Sequence, residues 1–262
     1  MALKNDVRAF LEKFGAYKVG VAGLNNSFQE VARGCHPRNL MENCNSVVVF
    51  AFHAGLDYYT TLEYRQKDVE SRILNIYRDQ VCMRLVEFLK QKGHEAMWVP
   101  RTYVDEENKI ASLSFKLAAY EAGIGVFGRP SIIITPEFGP RVIFGVVLTD
   151  ALIPPDKPLT GFNPCQECDK CVEFCPAKAI NGERPPPTGF DRNKCFGFVD
   201  WIRTNTKRKI MLCGNCYNFC PVGKKDERAF QLDRFRTLLD MNEMDREKLL
   251  WAYRHETGQL AR

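Results

Sequence analysis

The chain opens with apolar residues at helical intervals. Leu3, Val7, Phe10, Leu11 and Phe14 recur at three- and four-residue steps and stop at Gly15, which predicts an amphipathic helix ended by a glycine. A short strand is expected over 17–21. From Ser46 to His53 the sequence Ser-Val-Val-Val-Phe-Ala-Phe-His is β-branched and aromatic without polar interruption, as expected of a strand covered on both faces. The pattern then returns to helical spacing. Val69, Ile73, Ile76, Tyr77, Val81, Leu85, Phe88 and Leu89 form a stripe ending at Gly93, predicting a long helix over 68–92. A strand over 94–99 follows, then a helix over 110–122 with Ile110, Leu113, Leu117 and Tyr120 on one face. Two apolar runs, 131–135 and 141–149, flank the turn residues Pro136-Glu-Phe-Gly-Pro140 and read as a hairpin.

This mixture of strands and covering helices places the first part of the chain in the α/β (α+β) class. The proline-rich stretch 153–158 predicts a linker, giving an α/β domain over 1–152 and a second domain over 159–222. Beyond it, Phe230, Phe235, Leu238, Leu239, Leu249, Leu250 and Tyr253 in a highly charged background predict a short helical tail over 223–262. Gly123-Ile-Gly-Val-Phe-Gly128 matches G-x-G-x-x-G, but a dinucleotide fingerprint needs a strand before it and a helix after it. Here the order is reversed, so these glycines read as a helix C-cap and as points of close backbone approach.

The second domain carries the chemistry. Cys165, Cys168, Cys171 and Cys175-Pro176 show the spacing of a bacterial ferredoxin, in which the fourth cysteine ligates the other cluster; Cys195, Cys213, Cys216 and Cys220-Pro221 follow. Two-residue gaps let one tight loop point three sulfurs at three irons, so the fourth ligand must come from elsewhere. By that crossing rule Cys165, Cys168, Cys171 and Cys220 hold one 4Fe-4S cluster, and Cys175, Cys195, Cys213 and Cys216 hold a second. Cys195 is the irregular member, with seventeen residues between it and Cys213. A zinc ribbon would use two C-x-x-C pairs and leave Cys171, Cys175 and both Cys-Pro steps unexplained. A disulfide scaffold is normally a short secreted domain, and no charged-then-apolar leader begins this sequence, so the thiols are expected in a reducing cytoplasm. Cys35-His36-Pro37 and Cys44 lack regular ligand spacing and read as buried small residues, as does Cys82.

Composition adds little. The formal charge of +5 is mild and does not by itself call for nucleic acid; part of it compensates negatively charged clusters. No apolar run is long enough to cross a bilayer, so no membrane partner is expected. Arg203, Lys207, Arg208 and Lys209 between the cysteine motifs form a basic stretch, read as a solvated face or as contact for an anionic partner.

Taken in order, Gly123-Ile-Gly-Val-Phe-Gly-Arg129, Ile133-Ile-Thr-Pro-Glu-Phe-Gly139, Val147-Leu-Thr-Asp150 and the two Cys-Pro motifs resemble the epoxyqueuosine reductase family, and more closely its shorter ferredoxin-like relatives. The resemblance implies a nitroreductase-like, corrinoid-binding α/β domain, as in reductive dehalogenases, followed by a two-cluster ferredoxin domain. It implies that cobalamin is reduced to a nucleophilic cobalt(I) by the nearer cluster and that Asp105, after Val104, supplies a proton. Corrinoid contacts would come from Tyr103, Gly125, Gly128, Arg129 and Arg141. The sequence departs from the family pattern where Glu106-Glu107-Asn108 follows the Val-Asp pair and where Arg129-Pro130 stands in place of Lys-Asn. It also ends soon after Cys220, where the family's tRNA enzymes carry helical repeats, so a small or corrinoid-linked substrate is expected in preference to tRNA. Two alternatives stay open: an electron carrier that docks an unidentified redox partner, and a tRNA epoxyqueuosine reductase.

Overall fold

The computed structural model describes residues 2–24, 28, 35–54, 64–101, 103–105, 110–205 and 213–223. The basic residues 207–209, the side chain of Arg203 and the tail lie outside them. The chain divides into two compact units. The first takes residues up to Ala54, then Ile73–Phe127 and Ile133–Asn163. The second takes the described residues of Gly55–Arg72, then Gly128–Ile132 and the described residues from Pro164 onward.

In the first unit, helix α1 (Ala2–Glu12) leads through Gly15, at φ +80°, into strand β1 (Lys18–Gly23). Helix α2 (Pro37–Leu40) is a single turn whose cap is His36, Nδ1 accepting from the Arg38 N–H at 3.1 Å. Strand β2 (Ser46–His53) is the centre of the unit. Long helix α3 (Tyr64–Gln91), which belongs to this unit from Ile73 onward, precedes edge strand β3 (Ala96–Trp98), and strand β8 (Val142–Thr149) completes a four-stranded sheet ordered β1-β2-β8-β3. Every neighbouring pair is antiparallel.

The uninterrupted apolar run of β2 is explained by two-sided burial. Val47, Val49 and Ala51 face one cluster with Val146, Leu148 and the helix residues Ala118, Ala119 and Ala122. Val48, Phe50 and Phe52 face the other, with Val7 and Leu11 of α1 and Val81, Leu85 and Leu89 of α3. Each buried Val, Leu or Phe here contributes about 1.5–3 kcal/mol relative to exposure, so β2 and the helices on both sides of it are the stable part of the unit.

Three expectations are corrected. Only the C-terminal half of the α3 stripe is buried: Ile73 and Ile76 are 59% and 58% exposed, while Tyr77 is held by its hydroxyl donating to the Phe14 carbonyl at 2.8 Å. The helix expected from Ile110 begins later. Strand β4 (Tyr103–Asp105) pairs with β5 (Ile110–Ala111), and helix α4 (Phe115–Glu121) starts after Ser114, whose Oγ accepts from the Leu117 N–H at 3.2 Å. A side-chain acceptor for an otherwise orphaned helix N–H decides where the helix begins. Ser114→Ala is therefore expected to cost about 1 kcal/mol, read as a lowered urea midpoint with an unchanged slope.

The third correction concerns the hairpin. Ile133–Ile134 (β7) pairs not with β8 but with Val126–Phe127 (β6), and β8 instead lies between β2 and β3. Gly125 makes the first pairing possible, since a Cβ there would stand 2.5 Å from the Ile134 carbonyl oxygen. Gly123, at φ +66°, follows α4 as the glycine stop expected from the sequence.

The proline-rich segment is bound to this sheet. The Asp156 carboxylate accepts from the Val21 N–H at 2.9 Å and from Lys4 Nζ at 2.8 Å, and the Asp156 N–H donates to the Val21 carbonyl at 2.8 Å. Among the described residues no helix is long and apolar enough to cross a membrane.

Candidate metal centre

In the second unit the cysteines sit on short helices and tight loops. Helix α5 (Lys170–Glu173) carries Cys171, α6 (Arg192–Asn205) carries Cys195, and α7 (Asn215–Asn218) carries Cys216. Gly214, at φ +72°, turns the chain between Cys213 and α7, a conformation that favours glycine. The two Cys-Pro halves are joined by the Phe174 and Phe219 rings, stacked with centroids 3.9 Å apart, and by Asn215 Nδ2 donating to the Phe174 carbonyl at 3.1 Å. A small core of Ala177, Ala179 and Phe198 has Cys175, Cys195 and Cys213 packed against it.

None of the eleven cysteines is paired in a disulfide. The eight of the second unit fall into two electrostatic neighbourhoods. Burial pushes the Cys171 thiol up to about 12, with Cys165, Cys168 and Cys220 adding to the shift and the Arg129 guanidinium opposing it. Burial pushes Cys216 well above the ordinary thiol value, with Cys213, Cys195, Cys171 and Cys175 adding to it. Cys171 is common to the two neighbourhoods.

Buried thiols of this kind do not ionise on their own near neutral pH, whereas a coordinated thiol is deprotonated outright. The donor set therefore fits metal centres. Among the described residues no three His, Cys, Asp or Glu side chains are arranged to hold a single ion. Backbone support is present too: the Ala179 N–H donates to Cys175 Sγ at 3.3 Å.

The residues expected to contact a corrinoid are dispersed between the units. Asp105 ends β4 beyond an irregularity in the β4–β5 pairing, and Tyr103 lies opposite Ala111; their side chains are outside the described set. Gly125 precedes β6. Arg141 is buried just before β8, its carbonyl accepting from the Ala54 N–H at 3.2 Å. Gly128 and Arg129 belong to the second unit. The Gly128 N–H donates to the Ile132 carbonyl at 2.8 Å, closing a tight turn. Arg129 is 1% exposed, and its guanidinium is engaged by the Cys165 and Gly182 carbonyls and by Asp169.

Sequence reasoning passed over His53, at the end of β2. Its ring stacks on Phe138 at 4.0 Å, and burial, together with the Arg141 charge, lowers its pKa. It also passed over Asp169 and Gly182, whose only signal was their place beside the cysteine loops. Cys35 and Cys44 are buried and donate to the Ala111 and Ser46 carbonyls at 3.2 and 3.5 Å, as small core residues do.

No family model matches the chain. Curated relatives do. An epoxyqueuosine reductase of Bacillus cereus is 26% identical over 257 residues, covering 85% of this chain and 65% of the relative. A tetrachloroethene reductive dehalogenase of Desulfitobacterium hafniense is 30% identical over 183 residues, covering 62% of this chain and 30% of the relative. Among solved structures, an epoxyqueuosine reductase with an epoxyqueuosine-modified tRNA-Tyr stem loop matches with a TM-score of 0.58 at 22% identity, over 86% of this chain and 66% of the other. A reductive dehalogenase described as suggesting a mechanism for B12-dependent dehalogenation matches with a TM-score of 0.65 at 19% identity, over 96% and 35%. The chain thus spans just under two-thirds of the length of the Bacillus cereus relative.

Proposed function

The chain is a relative of the epoxyqueuosine reductases and, beyond them, of reductive dehalogenases, and we propose that it is an oxidoreductase that passes electrons through two 4Fe-4S clusters to a corrinoid. The observation that carries this reading is the ferredoxin spacing of eight cysteines that the second unit places on short helices and tight loops, with Cys175, Cys195 and Cys213 packed on one small core. Kinship with proteins of which one is described as B12-dependent supports the corrinoid.

In this proposal Cys165, Cys168, Cys171 and Cys220 hold one cluster and Cys175, Cys195, Cys213 and Cys216 the other. Adjacent sets let an electron pass between clusters without leaving the unit. A bound corrinoid would supply the low-potential reducing centre. Tyr103, Gly125, Gly128 and Arg141 would line its site, and Asp105, placed by β4, would deliver a proton to the reduced substrate. To do so near neutral pH its carboxyl needs a pKa raised by burial. The proposed layout assigns residues 1–152 to the corrinoid domain, 159–222 to the clusters and 223–262 to a helical tail. The substrate class proposed is a small or corrinoid-linked molecule. The epoxyqueuosine reductase relatives also favour a second reading, in which the reducing unit acts on tRNA.

The test is an anaerobic titration of cluster-loaded protein with cob(II)alamin, followed by visible absorption and electron paramagnetic resonance. A bound base-off cobalt signal that collapses when the clusters are reduced is the expected result. Unperturbed cobalamin beside two reducible clusters would sink the corrinoid reading and leave an electron carrier.

A further inference from the structure

Among the described residues Arg129 is a buried cation without a buried counter-charge. Four of its five N–H donors are placed: Nε and Nη2 both donate to the Cys165 carbonyl, at 3.2 and 2.9 Å, and Nη1 donates to the Gly182 carbonyl at 2.9 Å and to Asp169 Oδ1. Gly182 adopts φ +82°, a left-handed conformation that glycine takes without strain. The only ion-pair partner of Arg129 among the described residues, Asp169, has a side chain 46% exposed, against 1% for Arg129, and it shares a second cation, Arg184, at 3.4 Å.

That asymmetry sets the local field. Water screens the Asp169 carboxylate, while the guanidinium acts through protein of low dielectric. The four hydrogen bonds and the Asp169 pair offset the cost of burying the guanidinium, and the charge is then free to have a use at this place. The Cys165 loop has one: the thiolates and sulfides of a cluster are net negative, and each electron taken up adds another negative charge.

We propose that Arg129 is a positioning and charge-compensating residue for the cluster held by Cys165, Cys168, Cys171 and Cys220, fixing the Cys165 loop through its carbonyl and raising that cluster's reduction potential relative to the other. This rests on the two-cluster reading above. In agreement, the guanidinium binds the Cys165 carbonyl through two nitrogens and pairs with Asp169, which stands between Cys168 and Cys171. The role is assigned to one cluster of the pair, and that selectivity is what an experiment can read.

The experiment uses the full chain loaded with iron and sulfide. Iron is counted, and the two midpoint potentials are followed by electron paramagnetic resonance, in wild type, Arg129→Gln and Arg129→Lys. Cys220→Ser identifies which potential belongs to the Cys165 set. The expected result is that Arg129→Gln keeps its iron and lowers that one potential by at least about 59 mV, a tenfold fall in the one-electron equilibrium constant, while Arg129→Lys stays near wild type. Full iron content with both potentials unmoved, or both moved alike, overturns the proposal. Should Arg129→Gln shed all its iron, Arg129→Lys decides. Retained iron with a wild-type potential supports the role, and loss of both clusters again reduces Arg129 to a residue of the fold. A wild-type chain that takes up no iron fails the cluster reading instead, a different and visible outcome.

Discussion

Replacing Cys216 by serine is expected to halve the iron of the loaded protein, from about eight to about four per chain, and to abolish one of two cluster signals. The reason lies in where the thiol stands. Burial, with Cys213, Cys195, Cys171 and Cys175 beside it, drives the Cys216 pKa far up. Only a bound metal makes a thiolate at that position affordable, and a serine hydroxyl in the same surroundings is a far poorer ligand. Cys220→Ser should remove the other signal, because Cys220 bears on Cys171. Cys44→Ser and Cys82→Ser supply the contrast: both thiols are buried in the first unit, so these variants lower stability and leave the iron unchanged. Iron and sulfide analysis with electron paramagnetic resonance of the reduced protein checks all four. Eight irons in Cys216→Ser, or the same signal lost in Cys216→Ser and Cys220→Ser, would refute the two sets as drawn.

The parts of the fold that could be read in advance are those where one residue's burial shows in its own chemistry. Strand β2 runs from Ser46 to His53, as expected, because the stretch between these two polar ends is buried on both faces and is wholly apolar. Helix α1 shows its stripe because one face meets the core, and Gly15 ends it as expected. Pairing partners are a different matter. Nothing in Ser131-Ile-Ile-Ile-Thr135 says whether it pairs forward with β8 or back with Val126–Phe127; the choice is made by Gly125, where the absence of a Cβ admits the Ile134 carbonyl. Ile73 and Ile76 fit the α3 stripe equally well as sequence, yet periodicity says which residues share a face and not how far along the helix that face is covered. At the metal centre the spacing of Cys165, Cys168 and Cys171 is local and legible, and so is the need for a distant fourth ligand. Arg129 was not legible as part of that centre, since the contact with Cys165 spans 36 residues of sequence. The residues following the glycine motif suggested a corrinoid contact, and only the fold turns the guanidinium into the cysteine loop.

Gly20→Val should destabilise the first unit by about 3 kcal/mol or more, at the upper end of overpacking costs. Gly20 lies in β1 on the face that meets α4, and a Cβ there would stand 2.1 Å from the Ala122 carbonyl oxygen and 3.0 Å from the Ala122 Cβ. The obstacle is backbone at the end of a helix, which cannot swing aside as a side chain can. Relief requires β1 and α4 to separate, and β1 also carries Val21, whose N–H and carbonyl both bind Asp156. A thermal scan of the full chain should show the midpoint falling by about 6–12 °C, at 2–4 °C per kcal/mol for a chain of this size. Gly197→Ala is the matched control. Gly197 lies inside α6 with nothing within 4 Å of a Cβ, so the same loss of backbone freedom should there raise stability by about 0.4–1 kcal/mol. Opposite signs from the two substitutions would show that Gly20 is a point of close approach between helix and strand. A Gly20→Val midpoint within a degree of wild type would mean that α4 does not pack on β1 as closely as the structure has it.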